Sequence, residues 1–165
     1  MDLIQLVARA LEFIFPAYCA NAAPVLAGGG PAMDFRKKLP DGRRVFGINK
    51  TFRGFFAGLA AGTVAGLAES LVFNYPIMFG FLLSLGALFG DLAGAFTKRR
   101  LAIPPGGLLP VVDQLDFIMG AILFSLPLYM PWSWQLFVTI LIITPPFHLL
   151  TNFVAYKLKL KRNPW

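Results

Sequence analysis

The fold class this sequence predicts is all-α, an integral membrane bundle of five transmembrane helices with a basic cytoplasmic loop layer. Three observations lead there. Of 165 residues, 57% are hydrophobic and 14% charged, with 17 Phe. Soluble domains carry about 25% charged residues, and a soluble chain of this size has too little polar surface to cover so much apolar area. Five long apolar runs follow one another, separated by breaks of Gly, Pro and charge. Every Lys and Arg except Arg9 lies in the first break, the third break or the C-terminal tail, which a five-span chain puts on one side. The length favours a single domain, residues 1–165.

The first span covers residues 3–23 and is interrupted by Arg9, Glu12 and Pro16. Ala20-Asn21-Ala22 has the small-x-small form of a signal-peptide cleavage site. The opening Met-Asp-Leu-Ile-Gln lacks the positive n-region, however, so a retained helix is expected. Arg9 and Glu12 share a helical face that should turn to the protein interior. The first cytoplasmic loop, 27–53, is rich in Arg and Lys. Its Gly28-Gly29-Gly30-Pro31 and Leu39-Pro40-Asp41-Gly42 are turn signals, and the triple glycine lacks the spacing of a phosphate-binding P-loop.

The second span, 54–73, has glycines at 54, 58, 62 and 66, and the third, 75–96, has them at 86, 90 and 94. Four-residue spacing puts each set on one stripe and allows close backbone approach. Asn74-Tyr75-Pro76 makes a short turn, so these two helices should form an antiparallel hairpin. Packing of the stripes within one chain is the favoured arrangement, and a homodimer held through them is the alternative.

A second cytoplasmic loop, 97–110, leads to the fourth span, 111–129, and the fifth, 134–156. Tyr129, Trp132 and Trp134 around Pro131 read as an interfacial aromatic belt. Pro145-Pro146 should break or kink the last helix, leaving carbonyls for Thr144 or its neighbours to satisfy. The basic excess faces the cytoplasm, which puts the N-terminus outside and the C-terminus inside the cell membrane. This placement accounts for the formal charge of +7 without nucleic acid. One cysteine, Cys19, excludes a disulfide within the chain, and one histidine, His148, excludes multi-histidine metal sites.

Chemistry concentrates in residues 90–116, GDLAGAFTKRRLAIPPGGLLPVVDQLD. Asp91 is expected about 7 to 8 Å inside the third span, where an ionised carboxylate needs a partner. Asp113 and Asp116, three residues apart at the start of the fourth span, aim the same way. Helix-start Asp residues also cap helices, so that plainer role stands beside the functional one. Three hard oxygen ligands grouped with cations suit Mg²⁺, so Asp91, Asp113 and Asp116 are the candidate metal and catalytic residues. Lys98, Arg99 and Arg100 are candidates for phosphate, Lys98 also as a catalytic residue, or serve only as positive-inside anchors. Asn49, Lys50, Thr51 and Arg53 lie at the start of the second helix, where unpaired N–H groups and cations make an anion site. Asn21 ends the first span and either contacts substrate or caps the chain's exit. Glu69 lies about 22 Å along its helix from Gly54, too far to join the same centre. Together these residues point to phosphoryl-transfer chemistry at a membrane surface.

Ala95-Phe-Thr97-Lys98-Arg99, the Pro-Gly-Gly turn and Asp113-Gln-Leu-Asp116 resemble the signature of phosphatidate cytidylyltransferases. Ala95 stands where that signature has serine, and Gln114 where it has arginine. The small size, Asn21-Ala-Ala-Pro24, Gly47-x-Asn49-Lys50-Thr51-x-Arg53-Gly54 and Gly90-Asp91-Leu-x-Gly94 are more similar to the archaeal branch, the CDP-archaeol synthases, over essentially the whole chain. The resemblance implies a Mg²⁺-requiring enzyme that transfers CMP from CTP to an ether-lipid phosphate, digeranylgeranylglyceryl phosphate, giving CDP-archaeol and pyrophosphate. Its partners would be CTP and membrane lipids. The rival from another class is a small transporter or channel built on Glu69, Arg9 and Glu12, weakened by the lack of an inverted repeat. A CDP-alcohol phosphotransferase would need a denser aspartate array than this chain has.

Overall fold

The computed structural model describes residues 2–128, 133–161 and 163–164. It is all-helical: α1 (Leu3–Leu26), α2 (Phe52–Phe73), α3 (Phe79–Arg100), α4 (Val112–Ser125) followed by a 3-10 turn (Leu126–Leu128), and α5 (Trp134–Lys157). Four of these, α1, α2, α3 and α5, are long and apolar enough to cross a membrane. The fourth span is shorter than expected. The 14 residues of α4 reach about 21 Å, against a hydrocarbon core of about 30 Å, and the 3-10 turn extends it. The aromatic belt assigned to Tyr129 and Trp132 lies outside the described residues, while Trp134 opens α5 and is exposed.

Local chemistry explains most boundaries. α1 begins in a capping box in which Gln5 N donates to the Asp2 carboxylate (2.8 Å) and Asp2 N to Gln5 Oε1 (3.3 Å). It runs on through Pro16 and Pro24, three residues past the expected end. Thr51 caps α2, its hydroxyl accepting from Gly54 N (3.1 Å). Asn74, in the left-handed region at φ 57°, ends that helix. The third helix starts and stops four residues later than expected. Lys98, Arg99 and Arg100 therefore form its last turn rather than a loop, where cations suit the negative end of the helix dipole. A Schellman turn closes α3: Ile103 N donates to Lys98 O (2.9 Å) and Ala102 N to Arg99 O (3.2 Å), with Ala102 at φ 62°.

Pro145 and Pro146 do not break α5, which is continuous through both. Thr144 does not serve the carbonyls those prolines release. Its hydroxyl donates to Ile140 O (2.7 Å) and accepts from Tyr18 (3.2 Å), tying α5 to α1. Arg9 is also not where expected. It is exposed, near the start of α1, where a long side chain can reach the interface. Glu12 turns inward and accepts a hydrogen bond from the Tyr75 hydroxyl (2.7 Å).

α3 is the central helix, with 61% of its apolar window buried against 11% for α5. The core gathers Phe13, Ile14, Phe79, Leu83, Phe117 and Ile118 from α1, α3 and α4. The glycine stripes are used within the chain. Gly58 and Gly62 pack on the Ala20 and Pro16 carbonyls of α1, and Gly66 meets the Gly80 backbone of α3. The α3 stripe turns the other way, onto α4: Gly86 abuts the Gly120 carbonyl and Gly90 the Asp116 carbonyl. A side chain at either position would push α4 off the helix that carries Asp91.

Candidate functional site

The long loop between α1 and α2 is a folded lid rather than a tether. Its two ends are joined, with Met33 N donating to Lys50 O (2.8 Å) and Phe52 N to Pro31 O (3.2 Å). Its centre is Asp34, whose carboxylate accepts from the Arg44 guanidinium and from the backbone N–H groups of Arg36 (3.0 Å), Phe46 (3.3 Å) and Gly47 (3.0 Å). Burial alone would raise the Asp34 pKa. Arg44 and these donors override it and hold the carboxyl well below the usual carboxylate range. Arg100 fastens the loop to α3, pairing with Asp41 (2.5 Å) and donating to Arg44 O (2.6 Å). Arg99 is buried beneath Gly47, where a Cβ would sit 3.0 Å from its guanidinium.

Closing the loop ends aims Lys50 at α3. Its ammonium lies 2.6 and 2.5 Å from the two carboxylate oxygens of Asp91. Asp91 is nine residues before the end of α3, about 14 Å along the helix at 1.5 Å per residue. That is nearly twice the expected depth, because the basic triplet belongs to the helix. Two residues before the end of the helix, Lys98 reaches across to α4 and contacts both oxygens of Asp113 (3.0 and 2.8 Å). Asp113 also accepts from Leu109 N (3.0 Å), ordering the chain that enters α4. It is not a conventional cap: the N-cap is Val111, with φ 68° and no side-chain bond.

Asp116 packs directly against Gly94, a position any side chain would fill, and lies in the fields of Asp91, Lys50 and Asp113. The three candidate carboxylates thus follow one another along the seam between α3 and α4, with Lys50 on Asp91 and Lys98 on Asp113. They are not drawn together around a common point, and no group of three metal-capable side chains is assembled among the described residues. Two of the three are held by lysine. The donor set nevertheless fits a hard divalent cation: oxygen only, with an ammonium already standing where positive charge is needed.

Beside the Lys50–Asp91 pair a pocket opens between α1, α2 and α3, with polar Asn49, Lys50 and Asp91 and apolar Phe55, Leu88 and Leu92 on its walls. Thr51 lines it while capping α2. Arg53 is exposed one residue into α2, and Asn21 is half-buried near the C-terminal end of α1. Arg99 and Arg100 turn to the loop instead of to the carboxylates.

One residue was missed. Lys161 lies beyond α5, yet it is half-buried in the fields of Lys50, Asp113, Lys98 and Asp91. Burial first, and then the charge of Lys50, lowers its pKa to about 8. No spacing pattern in a Lys-Leu-Lys-Leu-Lys tail separates this lysine from its neighbours. His148 approaches the same region and packs on the Phe117 ring (centroids 5.8 Å apart). Glu12 and Glu69 lie in the opposite half of the bundle; Glu69 is buried, one turn beyond the glycine stripe.

Comparison with known proteins gives a consistent result. The family model described as CarS-like CDP-archaeol synthase matches residues 3–165. The CDP-archaeol synthase of Methanopyrus kandleri is 48% identical over 161 residues, covering 95% of this chain and 92% of its own. That of Pyrococcus abyssi is 46% identical over 165 residues, covering 95% and 97%. A solved structure reported as structural insight into an intramembrane enzyme for archaeal membrane lipids biosynthesis superposes with a TM-score of 0.84 at 40% identity, covering 88% of this chain and 94% of that one.

Proposed function

Since the chain belongs to the CDP-archaeol synthase family, we propose that it transfers CMP from CTP to digeranylgeranylglyceryl phosphate, with the carboxylate–lysine cluster between α3 and α4 as its active site. The observation that carries this reading is the succession of Asp91, Asp116 and Asp113 along the α3–α4 seam, with Lys50 paired to the first and Lys98 to the last. The bundle is oriented with its N-terminus outside and the cluster towards the cytoplasm, as the basic loops require.

The lipid phosphate is already an anionic nucleophile near neutral pH, so the protein needs no strong general base. One of its oxygens attacks the α-phosphorus of CTP. The new O–P bond forms as the bond to the β-phosphate oxygen breaks, and pyrophosphate leaves. Catalysis is then positioning and charge neutralisation. Lys50 and Lys98 release their carboxylates and turn to substrate phosphate oxygens, a change of partner that keeps both ammonium groups compensated. Arg53 and Asn49 add donors at the mouth of the pocket. Its apolar walls, Phe55, Leu88 and Leu92, suit the first carbons of an isoprenoid chain. Arg99 and Arg100 hold the loop that covers the site. Asp91, Asp113 and Asp116 would hold Mg²⁺, which when bound neutralises charge on the nucleotide phosphates and the leaving pyrophosphate.

The transporter alternative loses its basis, because Arg9 is on the surface and Glu12 is engaged by Tyr75. The test is incorporation of radiolabelled CTP into ether-lipid phosphate or phosphatidate, with and without Mg²⁺. Label should enter the ether lipid and require the metal, and Asp113→Asn or Asp116→Asn should abolish it in a folded protein. Label in neither lipid would overturn the assignment, and full activity of both variants would remove the proposed site.

A further inference from the structure

We propose that the turn at residues 34–38 of the α1–α2 loop docks on anionic lipid headgroups of the bilayer that α2 crosses, with the Phe35 ring at headgroup depth and Arg36, Lys37 and Lys38 on lipid phosphates. The proposal needs only that α2 spans a membrane, so it is independent of the CMP-transfer reading.

Depth follows from α2. Its 22 residues, Phe52–Phe73, reach about 33 Å, just over the hydrocarbon core of about 30 Å. Phe52, the first of them, therefore stands at the boundary between lipid chains and headgroups. The Phe35 ring packs on the Phe52 ring with centroids 5.3 Å apart, which sets Phe35 at the same level. Phe56, one turn further along the same face of α2, is 62% exposed and Phe35 is 68% exposed. The three rings thus continue one apolar row from the lipid-facing side of α2 out to the interface. The turn that presents Phe35 is fixed. Phe35 N donates to Ala32 O (3.0 Å), Lys37 N to Asp34 O (2.8 Å) and Arg36 N to the Asp34 carboxylate (3.0 Å). Phe35 and Arg36 both lie in the left-handed region, at φ 47° and 61°, so the turn is held against a local cost.

Charge separates this turn from the rest of the loop. Arg43, Arg44 and Lys50 turn inward, onto Arg100 O, Asp34 and Asp91. Arg36, Lys37 and Lys38 are exposed, and among the described residues their side chains make no hydrogen bond or ion pair. Three free cations in a row beside an exposed ring at headgroup depth complement an anionic lipid surface. The ring gives up water at the interface while the cations meet phosphate. Topology alone asks for Lys and Arg on this side and places no demand on Phe35. The depth set by Phe52 favours lipid over a protein partner. Met33, next to the turn, lines the pocket and bonds through its N–H to Lys50 O (2.8 Å), so docking fixes that wall of the pocket to the membrane surface.

The experiment uses the full-length protein in nanodiscs of phosphatidylcholine, with and without phosphatidylglycerol, so that both membrane faces are open to protease. Cleavage by chymotrypsin after Phe35 reads the undocked fraction. Phosphatidylglycerol should slow it in the parent, and added salt should restore it. Lys37→Gln/Lys38→Gln should lower the ratio of docked to undocked turn about thirtyfold, from about 1 kcal/mol per basic residue at an anionic surface, and so remove the protection. Lys157→Gln/Lys159→Gln, the same loss of charge at the end of α5, should match the parent. A second readout uses Phe35→Trp in a chain whose three native Trp are replaced by Phe. Its indole should be quenched by chain-brominated lipid when phosphatidylglycerol is present. Equal cleavage of the parent with and without phosphatidylglycerol would overturn the proposal. So would an equal loss of protection in the α5 pair, which indicates diffuse charge, or protection without quenching, which indicates a protein contact. CMP transfer enters neither readout, so the two readings fail separately.

Discussion

Gly94→Ala tests whether the position of Asp116 matters more than its presence. A Cβ on Gly94 would collide with Asp116 Oδ2 and stand 2.8 Å from Cγ and 3.1 Å from Cβ of that residue. Ordinary contact begins near 3.4 Å, so Cγ alone must retreat by about 0.6 Å and the colliding Oδ2 by more than that. The α4 backbone has little freedom to carry it away, because the Asp116 carbonyl is pressed on Gly90 and Gly120 on Gly86. The added methyl is therefore absorbed by rotating Asp116, or by an overpacking cost of about 1–3 kcal/mol. A displacement approaching 1 Å in a positioned catalytic group costs about 10²-fold in rate. The variant should fold, melt somewhat lower, and lose about 10²-fold in kcat for CMP transfer, with KM for CTP less affected. Gly66→Ala is the control: its Cβ would meet the Gly80 backbone in the opposite half of the bundle, so stability should fall without a specific loss in kcat. Turnover by Gly94→Ala within a few-fold of the parent would refute the reasoning, because the Asp116 carboxylate would not then be required where it stands.

Removing divalent cations with EDTA should stop turnover while shifting the melting temperature by no more than about 2 °C, since Lys50 and Lys98 already hold Asp91 and Asp113. A large shift would show that metal, not lysine, keeps those carboxylates in place. Asp34→Asn should loosen the α1–α2 loop at neutral pH, costing about 2–4 kcal/mol locally by stranding Arg44 and the three N–H donors; proteolysis within residues 36–44 reads it. In the parent the Asp34 pKa is depressed by folding, so its contribution is complete above the ordinary carboxylate range and is lost as pH falls towards the folded value. The loop should thus stay protected at pH 5 and open only in stronger acid. Lys159→Gly should raise the melting temperature slightly, relieving about 1 kcal/mol at a left-handed position (φ 59°) just past α5; a fall would show that the side chain itself holds the turn.

Five helices, their order and the gathering of the basic residues at one end of the bundle were legible because hydropathy and the Lys/Arg bias act over whole segments. Boundaries were less so. Lys98–Arg100 look like a loop by polarity, yet cations at a helix C-terminus also favour helix, and the Schellman turn at Ala102 that ends α3 carries no glycine to announce it. Pro145-Pro146 looks like a break because each proline removes a helix donor and crowds the carbonyl four residues back, whereas α5 has Thr144 and Tyr18 fixing it to α1 at that point. The charge pairs were only half legible. Three-residue spacing brought Asp113 and Asp116 onto one side of α4, but no local pattern joins Lys50 to Asp91 across 41 positions. That pairing depends on Asp34, which folds the loop and which no sequence pattern sets apart from its surroundings.

The change in depth of Asp91 alters how the site works. Had α3 ended near residue 96, Asp91 would lie close to the interface and water alone could have kept it ionised. At about 14 Å from the helix end, it needs a cation brought to it. The sequence meets that need by closing the loop ends over α2 so that Lys50 points down at α3. On the proposed reading, a nucleotide enters by displacing a lysine from a carboxylate, which would leave the ammonium facing phosphate and the carboxylate free for a cation. Charge is then conserved at each exchange, and the polar group in the membrane interior is never left without a partner. Thus the loop that looks like a topological signal in the sequence is, on the proposed reading, half of the active site.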